Sequence, residues 1–457
     1  MAWKKVKVGD FLFEREGRYK PDVQEIAGLR RIDKIDFSGN FHIANKPSKT
    51  DMILIKPGDL VISGINVAKG ALGVYHGQDD VTATIHYSSY TFDEDKVSVE
   101  YFKRFLKSPL FIQLLKEQVK GGIKTEIKPK HLLPLEILLP DKDQQLAILK
   151  HFQRIENEDL ELKSELTHQQ TLLKKLRQQI LQEAIEGKLT TDWRAQNPDV
   201  EPASELLKRI AAEKTQLIKD KKIKPQKPLP PITDEEKPFE LPQGWEWCRL
   251  EETGLFERGK SKHRPRNDPR LFEGGHFPFV QTGDVSRSKS NGYKVSTYSQ
   301  QYNDLGLAQS RVWRKGTLCI TIAANIAETG FLDIDACFPD SVVGFTSISN
   351  LTNASYVKYF IDATRDEIEK FAPATAQKNI NLGIINMLSF PLPPLDEQQA
   401  IVTKVEKLLA LCDQLETQIT QNQSHAEQLM QAVLKEAFSH NSEAEPSSAR
   451  REATANA

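Results

Sequence analysis

One short segment has the spacing of a phosphate-binding loop. Residues 254–261 read GLFERGKS and match the pattern G-x-x-x-x-G-K-[ST]. Such a loop holds phosphate because a helix begins directly after it and points its N-terminal N–H groups at the anion. In this sequence KHRPRNDP follows, and Pro265 and Pro269 interrupt the region where that helix would run. We therefore keep a P-loop-like NTPase only as the weaker alternative function.

The same segment is strongly cationic, which favours binding over catalysis. RGKSKHRPR, residues 258–266, contains no acid and five cationic side chains, namely Arg258, Lys260, Lys262, Arg264 and Arg266. Arginine and lysine neutralise DNA phosphates, and arginine can also donate two hydrogen bonds to guanine in the major groove. An ordinary solvated loop is the alternative, and charge alone does not decide between the two.

Other side chains with hydrogen-bonding groups are further candidates for contacts with DNA. In the second half of the chain they are Gln281, Thr282, Asp284, Arg287, Arg311, Asn325, Gln377, Lys378 and Asn379. In the first half they are Arg15, Arg18, Lys20, Arg30, Arg31, Asn66, Lys69, Lys124, Thr125 and Lys128. Any one of them, taken alone, is more typical of a surface residue than of a base-reading residue.

Catalytic and metal-binding patterns are missing from the sequence. It contains no N-P-P-[YF] motif for amino-methyl transfer, no G-x-S-x-G and no H-E-x-x-H. The 10 histidines and 4 cysteines show no spacing typical of a ligand set. We therefore expect a chain that is not an enzyme and that binds neither a metal nor a cofactor.

Composition and length limit the class of protein. The 62 basic and 63 acidic residues nearly cancel, so a nucleic-acid surface would have to arise from local segregation of charge. With 457 residues the chain has room for about three domains. Sparse cysteines, an N-terminus without a signal-peptide pattern and the lack of a long apolar run lead us to expect a soluble, cytoplasmic protein.

The elements that would position these residues are encoded twice. LLPDKDQQLAILKHF, residues 138–152, matches PLPPLDEQQAIVTKV, residues 391–405, at an offset of 253, and the match continues without a gap over about 48 residues. Looser matches lie upstream: YFKRFL (101–106) with YVKYFI (356–361), and KPGDLVIS (56–63) with RKGTLCIT (314–321). The chain therefore consists of two halves, each with a globular part followed by a helical part.

Both helical parts have the apolar periodicity of coiled coils. The predicted seam of the first is Ile148, Phe152, Ile155, Asp159, Leu162, Leu166, Leu173, Leu176 and Ile180. That of the second is Ile401, Val405, Leu408, Cys412, Leu415, Ile419, Asn422, Leu429 and Val433. Two amphipathic helices packed on separate cores are the alternative, but the matched length and period favour mutual packing.

We predict that the two helices run antiparallel with Ile148 opposite Val433. Phe152 then faces Leu429, and Asn422 hydrogen-bonds the Asp159 carboxylate, whose burial would otherwise be costly. This direction would put the globular parts at opposite ends of a rod, with the long connector allowing the second half to return in the opposite sense.

The composition along the chain predicts six segments. They are a globular domain at 1–137, a coiled-coil helix at 138–189, a proline-rich and charged connector at 190–241, a second globular domain at 242–390, a second coiled-coil helix at 391–440 and a disordered tail at 441–457.

Six motifs accompany this layout, namely LPQGWEWCRL (241–250), PFVQTGDV (278–285), CITIAANIA (319–327), FPDSVVGF (338–345), PLPPLDEQQAIV (391–402) and EAIEGKLTTDWR (183–194). Layout and motifs together resemble the specificity subunits of Type I restriction-modification enzymes. The resemblance implies an α+β fold in which two mixed α/β target recognition domains are joined by two long antiparallel helices.

The resemblance also implies a function without catalysis in this chain. Each recognition domain would read one half of a bipartite double-stranded DNA site, and the helices would act as a spacer and a dock. The partners would be methyltransferase subunits that bind S-adenosylmethionine and restriction subunits that bind ATP and Mg²⁺. A coiled-coil scaffold that binds protein and does not recognise DNA is the alternative.

Overall fold

The computed structural model describes residues 3–44, 49–118, 126–372 and 379–438. Its internal contacts divide the chain into two compact units. Unit 1 comprises residues 1–168 and 419–457, and unit 2 comprises residues 169–418. The tail predicted to be disordered, 441–457, lies outside the described residues. Among the residues that are described, no helix combines the length and apolar character needed to cross a membrane.

Unit 1 is a mixed domain of sheets and helices. Its strands are Lys4–Lys7 (β1), Leu12–Glu14 (β2), Arg31–Ile35 (β3), Phe41–Ala44 (β4), Met52–Ile55 (β5), Leu60–Ser63 (β6), Leu72–Val74 (β7), Val81–Thr84 (β8), Tyr87–Phe92 (β9) and Glu136–Leu139 (β10). Its helices are Val99–Lys107 (α1), Pro109–Gln118 (α2), Pro129–Leu132 (α3) and the first part of Lys142–Ile185 (α4).

The strands of unit 1 form three sheets. β1 pairs with β10, a second sheet has the order β2-β9-β6-β7, and a third has the order β4-β3-β8-β5. The pairs are antiparallel except β3 with β8, which is parallel.

Unit 2 contains the connector and the second globular part. Its strands are Glu246–Arg249 (β11), Leu255–Arg258 (β12), Phe277–Phe279 (β13), Lys294–Val295 (β14), Gln300–Tyr302 (β15), Val312–Trp313 (β16), Leu318–Thr321 (β17), Thr329–Leu332 (β18), Ala336–Cys337 (β19), Val342–Thr346 (β20) and Ser389–Leu392 (β21). Its helices are Thr191–Gln196 (α5), Ala203–Lys219 (α6), Thr282–Arg287 (α7), Asp304–Ala308 (α8), Ala354–Ala363 (α9), Arg365–Lys370 (α10), Leu382–Met387 (α11) and the first part of Leu395–Phe438 (α12).

Unit 2 repeats the strand order of unit 1. β11 pairs with β21, a five-stranded sheet has the order β12-β20-β17-β18-β14, and a four-stranded sheet has the order β15-β13-β19-β16. The parallel pair β13 with β19 stands where unit 1 has the parallel pair β3 with β8. KPGDLVIS contains β6 and RKGTLCIT contains β17, so the looser sequence matches mark equivalent strands. The duplication read from the sequence is therefore also a duplication of the fold.

The two long helices are equivalent down to their ends. α4 and α12 each have 44 residues, and both their first and their last residues differ by the repeat offset of 253. Each starts after a strand and a proline, as expected for a residue that cannot continue a ladder but tolerates the beginning of a helix. Asp141 caps α4 because its carboxylate accepts a hydrogen bond from Gln144 N at 2.8 Å.

A buried glutamine in the first turn anchors each long helix to its own unit. Gln145 Oε1 accepts from Ser98 N at 2.7 Å, and its Nε2 donates to Lys96 O and Pro140 O. In unit 2 Gln398 Oε1 accepts from Asn353 N at 2.8 Å, and its Nε2 donates to Pro393 O. Ser98 and Asn353 directly precede α1 and α9, so each glutamine fixes the beginning of a second helix as well.

The predicted antiparallel direction of the two long helices is confirmed by two contacts in unit 2. In unit 2, Arg177 of α4 contacts Asp413 of α12 at 2.6 Å, while Thr190, after the end of α4, donates to Glu397 at 2.7 Å. Advancing along α4 thus means going back along α12. In unit 1, the ring of Phe152 stacks on that of Phe438, with centroids 5.7 Å apart.

The predicted register of the helix pair is wrong. Phe438, the partner of Phe152, lies nine positions beyond the predicted partner Leu429, and Asp413 is likewise nine positions beyond the residue predicted to face Arg177. Asp159 does not require Asn422, because Lys163, one turn further along the same helix, lies 2.6 Å from its carboxylate. Aromatic packing in unit 1 therefore sets the alignment there.

Only one row of the predicted seam is buried. The buried members are spaced by seven or fourteen residues along each helix, namely Phe152, Leu166, Leu173 and Ile180 on α4 and Val405, Cys412 and Ile419 on α12, together with Ile401 at its first turn. Ile148, Ile155, Asp159, Leu408 and Val433 are half-buried. Leu162, Leu176, Leu415, Asn422 and Leu429 are exposed. The helices thus retain apolar surface after they have paired.

The last turn of α12 completes the core of unit 1. Phe438 is buried, and its ring lies 5.2 Å from that of Tyr101 and 5.7 Å from that of Phe105, centroid to centroid. Val433, Leu434 and Ala437 pack against the same cluster. A C-terminal segment therefore supplies part of the interior of the N-terminal globular domain.

Candidate nucleic-acid interface

In unit 2, three loops leave the same end of the five-stranded sheet. Arg258, the last residue of β12, pairs with Val343 at the start of β20, and Thr321, the last residue of β17, pairs with Val342. β18 begins next to this point because Ile320 pairs with Thr329. The loops at 259–276, 322–328 and 338–341 therefore emerge side by side, and we call them the loop end of unit 2.

The GLFERGKS segment contributes to this loop end but does not form a phosphate loop. Its middle is β12, and Lys260 N donates to Phe338 O at 3.0 Å. In the described stretch between β12 and β13, the one helical turn is a 3-10 turn at Pro269–Leu271. The helix that would point its amides at a phosphate is thus not formed there.

Two carboxylates organise the cationic segment 258–270. The guanidinium of Arg266 lies 2.6 Å from the Asp340 carboxylate, that of Arg264 lies 3.9 Å from it, and Arg258 Nε donates to Asp340 O at 2.7 Å. Asp268 binds Arg270 at 2.6 Å and His263 Nε2 at 2.7 Å. The contacts from Arg270 and His263 hold the pKa of Asp268 well below its ordinary value.

The loop end nevertheless keeps an excess of positive charge. Segment 258–270 contains six arginines and lysines, whereas Asp268 and Asp340 are the carboxylates in contact with it. Lys260, Lys262, Arg264 and Arg266 are exposed. The backbone is held as well, because the Gln309 side chain accepts hydrogen bonds from Lys262 N and His263 N. A fixed, cationic, partly paired surface of this kind can neutralise phosphate.

Most of the other predicted residues of unit 2 lie around these loops. Asn325 Nδ2 donates to Ser286 Oγ at 3.0 Å, which brings the 322–328 loop against α7. This helix begins at Thr282 and ends at Arg287, and Gln281 directly precedes it. Asn379 joins the same loop through a bridge to Ala323.

Asp284 and Arg311 have internal partners. Asp284 is buried, accepts hydrogen bonds from Gln281 N at 2.8 Å and Ser299 Oγ at 2.6 Å, and contacts Arg287. Arg311 pairs with Glu257 at 2.7 Å and lies over the Trp313 ring at 4.2 Å. Through these contacts Asp284 stabilises the start of α7, and Arg311 connects Glu257 of β12 with Trp313 of β16.

Unit 1 builds the same end of its sheet with different residues. Gly64 N donates to His86 O, as Ile322 N donates to Ser341 O in unit 2, and Ile127 N donates to Gly64 O, as Ile380 N donates to Ile322 O. The 64–71 loop carries Asn66 and Lys69, and the neighbouring segment carries Lys128. We call the 64–71 loop with 85–86 and 126–128 the loop end of unit 1.

The remaining candidates of unit 1 lie apart from these contacts. Arg15 forms a fork with buried Asp59, at 2.6 and 2.8 Å. Tyr19 pairs with Met52, which fixes exposed Arg18 and Lys20 beside β5. Arg30 and Arg31 lie 3.9 Å from Asp79 and 3.2 Å from Asp33. Lys124 and Thr125, like Gln377 and Lys378 of unit 2, lie outside the described residues. Contact of any of these side chains with DNA stays a prediction.

The buried carboxylate of Asp59 is stabilised in its charged form. Burial raises its pKa, but the hydrogen bonds from Arg15, Lys56 N and Ser89 outweigh burial, and the pKa lies below its ordinary value. Arg15 is therefore held as a structural partner of Asp59.

Sequence reasoning missed the groups that hold the interface in place. Asp340, Asp268 and Gln309 position the cationic segment, and Gln309 was not suggested by any motif. A signal existed for Asp340, because it lies in FPDSVVGF, but its pairing with arginines about 75 positions away depends on strand register.

Comparisons with known proteins find similarity in both sequence and fold. Residues 242–422 match the family model described as Type I restriction modification DNA specificity domain. The chain is 35% identical over 252 residues to the EcoAI specificity subunit of Escherichia coli, a match that covers 52% of this chain and 40% of that protein. It is 32% identical over 274 residues to the EcoEI specificity subunit of the same species, covering 57% and 45%. The matched part thus spans less than half the length of either relative.

Solved structures share the fold over nearly the whole chain. The HsdS subunit from Thermoanaerobacter tengcongensis has a TM-score of 0.54 at 18% identity, with 96% of both chains covered. A structure from a study of complex assembly and conformational transition of the type I R-M system has a TM-score of 0.64 at 16% identity, with 96% of this chain and 97% of that chain covered. These structures confirm the mixed fold with two long antiparallel helices. The sequence matches to the family model and to the two relatives confirm the resemblance to Type I specificity subunits.

Proposed function

We propose that this chain is the specificity subunit of a Type I restriction-modification complex and reads a two-part DNA site, one part with each unit. The observation that supports this most directly is the repeated sheet whose equivalent end presents polar and cationic loops in both units. A duplicated scaffold with unlike loops is suited to reading two unlike half-sites, because base contacts come from loop side chains while the scaffold sets their position.

The loops differ in the way that this function requires. Unit 2 carries the cationic segment 258–270 held by Asp268 and Asp340, whereas in unit 1 the short β2 leads to Arg15, which is paired internally with Asp59. Unit 1 instead presents Asn66, Lys69 and Lys128. Arginine on guanine and asparagine on adenine are the pairings that major-groove geometry favours.

In this proposal the chemistry belongs to partner subunits. Methyltransferase subunits would bind S-adenosylmethionine, and restriction subunits would bind ATP and Mg²⁺. This chain would position them by holding DNA and by offering a protein-binding surface.

Exposed leucines on the long helices support docking of protein partners. In unit 1 they include Leu160 and Leu162, and in unit 2 they include Leu172 and Leu411. Large apolar side chains exposed on a helix can contribute to a protein interface. This observation alone would also suit the second candidate function, a scaffold that binds protein but not DNA.

A domain exchange tests the proposed function. Residues 243–390 would be replaced by the corresponding domain of another specificity subunit, and methylated sites would be sequenced in cells that contain the partner methyltransferase. We expect one half of the target to change while the other half stays the same. A change in both halves, or in neither, would contradict the two-part assignment.

Salt dependence separates DNA recognition from scaffolding. Binding of the assembled complex to duplex DNA would be measured between about 50 and 200 mM salt, where several phosphate contacts reduce affinity by orders of magnitude. A complex that assembles normally but shows no sequence-dependent binding at any salt concentration would favour the protein-binding scaffold.

A further inference from the structure

An exposed phenylalanine stands at the tip of a rigid hairpin in unit 1. β3 and β4 are joined by Asp36–Asn40, and the side chain of Asp36 ties this tip together. Its carboxylate accepts hydrogen bonds from Ser38 N at 3.0 Å and from Asn40 N at 2.9 Å, and it also contacts Asn40 Nδ2 and His42 Nε2. Phe37 lies in the chain between Asp36 and these hydrogen-bond partners, and its side chain is 57% exposed.

The tip is locked onto the loop end of unit 1 by glycines. A Cβ at Gly39 would lie 2.7 Å from Leu72 O, and one at Gly70 would collide with Phe37 O. Both glycines have a left-handed backbone, with φ of +90° and +98°. A larger residue at Gly70 would have to move the hairpin or the 64–71 loop, and one at Gly39 would have to move the hairpin or β7. The backbone of the tip therefore packs closely on both.

Phe37 is accompanied by groups suited to nucleic acid. Lys69 Nζ lies 5.8 Å from the centroid of its ring, and Asn66 and exposed Ile65 belong to the same loop. A single exposed phenylalanine needs no explanation. A phenylalanine held by four side-chain contacts of Asp36, locked by two glycines and flanked by a lysine has the composition of an apolar wedge with a phosphate-binding cation.

We propose that Phe37 contacts a DNA base directly and contributes to base preference at one position of the half-site read by unit 1, while Lys69 neutralises a neighbouring phosphate. This inference rests on the proposed function. Double-stranded DNA fits the site better than a protein partner, because the cation and the amide of Asn66 lie beside the apolar ring and because unit 2 offers DNA the equivalent end of its sheet. Thymine methyl groups and base steps are the surfaces with which phenylalanine makes such contacts.

The test uses the full chain assembled with its methyltransferase partner. Phe37→Ala would be compared with Phe13→Ala, a matched control in the same unit, since Phe13 is 48% exposed on β2 away from this tip. Phe37→Trp serves as a conservative variant that keeps a large flat side chain. Each complex would be assayed for binding to its cognate duplex and to duplexes with single base changes in each half-site, and its methylated sites would be sequenced.

We expect Phe37→Ala to lose discrimination by up to about 5- to 150-fold at one position of the unit 1 half-site, the range that a single mismatched base pair typically costs. Phe37→Trp should retain part of it, and Phe13→Ala all of it. Lys69→Ala should weaken binding evenly over sequences and lower the salt slope by about 1.

Two outcomes would overturn the inference without touching the proposed function. One is a Phe37→Ala complex with the same base preference as Phe13→Ala; the other is a loss of assembly with the methyltransferase while assembled complexes keep their preference, which would make the tip a protein-docking surface. A wild-type complex without any sequence preference would instead contradict the proposed function itself.

Discussion

Units 1 and 2 share strand order, the position of one parallel strand pair and the ends of their long helices, yet the loops at the equivalent ends of their sheets have little in common. The shared features satisfy the hydrogen bonds of backbone groups. Gln145 and Gln398 lie at equivalent positions of the two long helices, and each accepts a hydrogen bond from the backbone N–H of the residue directly before α1 or α9. The differing features carry charge: unit 2 surrounds Asp340 with arginines, whereas unit 1 presents Lys69 and Phe37. The scaffold is thus the part that must not vary, and the loops are free to differ.

Substitutions at the equivalent ends of the two long helices are expected to have the largest effect on the free energy of unfolding. Phe438 and Ile185 are the last residues of the two long helices and are buried in units 1 and 2, respectively. We expect Phe438→Ala to lower the free energy of unfolding of unit 1 by about 3 to 5 kcal/mol, because it leaves a cavity among Tyr101, Phe105 and Phe152. Ile185→Ala should affect unit 2 by about 2 to 5 kcal/mol.

Hydrogen exchange resolved by region would show which unit is affected by each substitution. Leu429→Ala on the same helix is the control, since Leu429 is 62% exposed and its loss should change little. If Phe438→Ala were no more harmful than Leu429→Ala, unit 1 would not depend on the end of α12.

A second test addresses a difference between the helix starts. Glu397 is buried and contacts Arg194, Thr190 Oγ1 and Trp245 Nε1, whereas the equivalent position in unit 1 is Gln144. Arg194→Met leaves the buried carboxylate without its cation and should destabilise unit 2 by about 3 kcal/mol.

The double variant Arg194→Met/Glu397→Gln makes unit 2 resemble unit 1 and should regain part of that loss, as measured by urea unfolding. Equal stability of the single and double variants would mean that the charge of Glu397 is immaterial.

The cationic loop of unit 2 is expected to act on one half-site. Alanine at a base-reading Arg264 or Arg266 should cost about 1 to 3 kcal/mol of binding and relax one position, whereas loss of a phosphate contact should reduce affinity evenly over sequences. Binding and salt slope of the assembled complex would be compared with Arg209→Ala on α6, an exposed arginine paired with Glu201. If the double variant Arg264→Ala/Arg266→Ala had unchanged affinity and an unchanged salt slope, the alternative that this segment is an ordinary solvated loop would be favoured.

The smallest effect concerns acid stability, which should differ between the units. Asp59 has a folded-state pKa below its unfolded value, so its contribution is present above the unfolded pKa of about 3.9 and is lost as the pH falls through the folded value. Unit 2 has Thr317 at the place of Asp59 and lacks this contribution. Asp59→Asn should lower the stability of unit 1 at neutral pH and flatten the loss of stability as the pH falls below the unfolded pKa. An unchanged slope would exclude Asp59 as its source.

Much of the fold was predictable because it depends on local periodicity and on repetition. The prolines before α4 and α12, the seven-residue apolar rows and the offset of 253 predicted the helices, their equivalence and the division into halves. The register was not predictable, since Asp159 finds its partner in Lys163 and the alignment depends on aromatic rings from α1, α4 and α12 that meet only in the folded chain.

The candidate interface was predictable in kind but not in arrangement. Charge density identified segment 258–266, and amide and cationic side chains suggested Asn66, Lys69 and Asn325. The pairing of Arg266 with Asp340 and the locking of Phe37 by Gly39 and Gly70 depend on strand register and on close backbone approach, for which a single sequence carries no signal.

The contribution of the end of α12 to the core of unit 1 has a consequence for protein synthesis. Residues 1–168 emerge from the ribosome first, but the core that they form lacks Phe438 until about 270 further residues have been made. At roughly 5 to 20 residues per second, the nascent N-terminal domain waits about 15 to 50 seconds for its last aromatic side chain. During that interval Tyr101, Phe105 and Phe152 line an open apolar site, so the newborn chain is expected to be a client of chaperones that bind exposed aromatic surface.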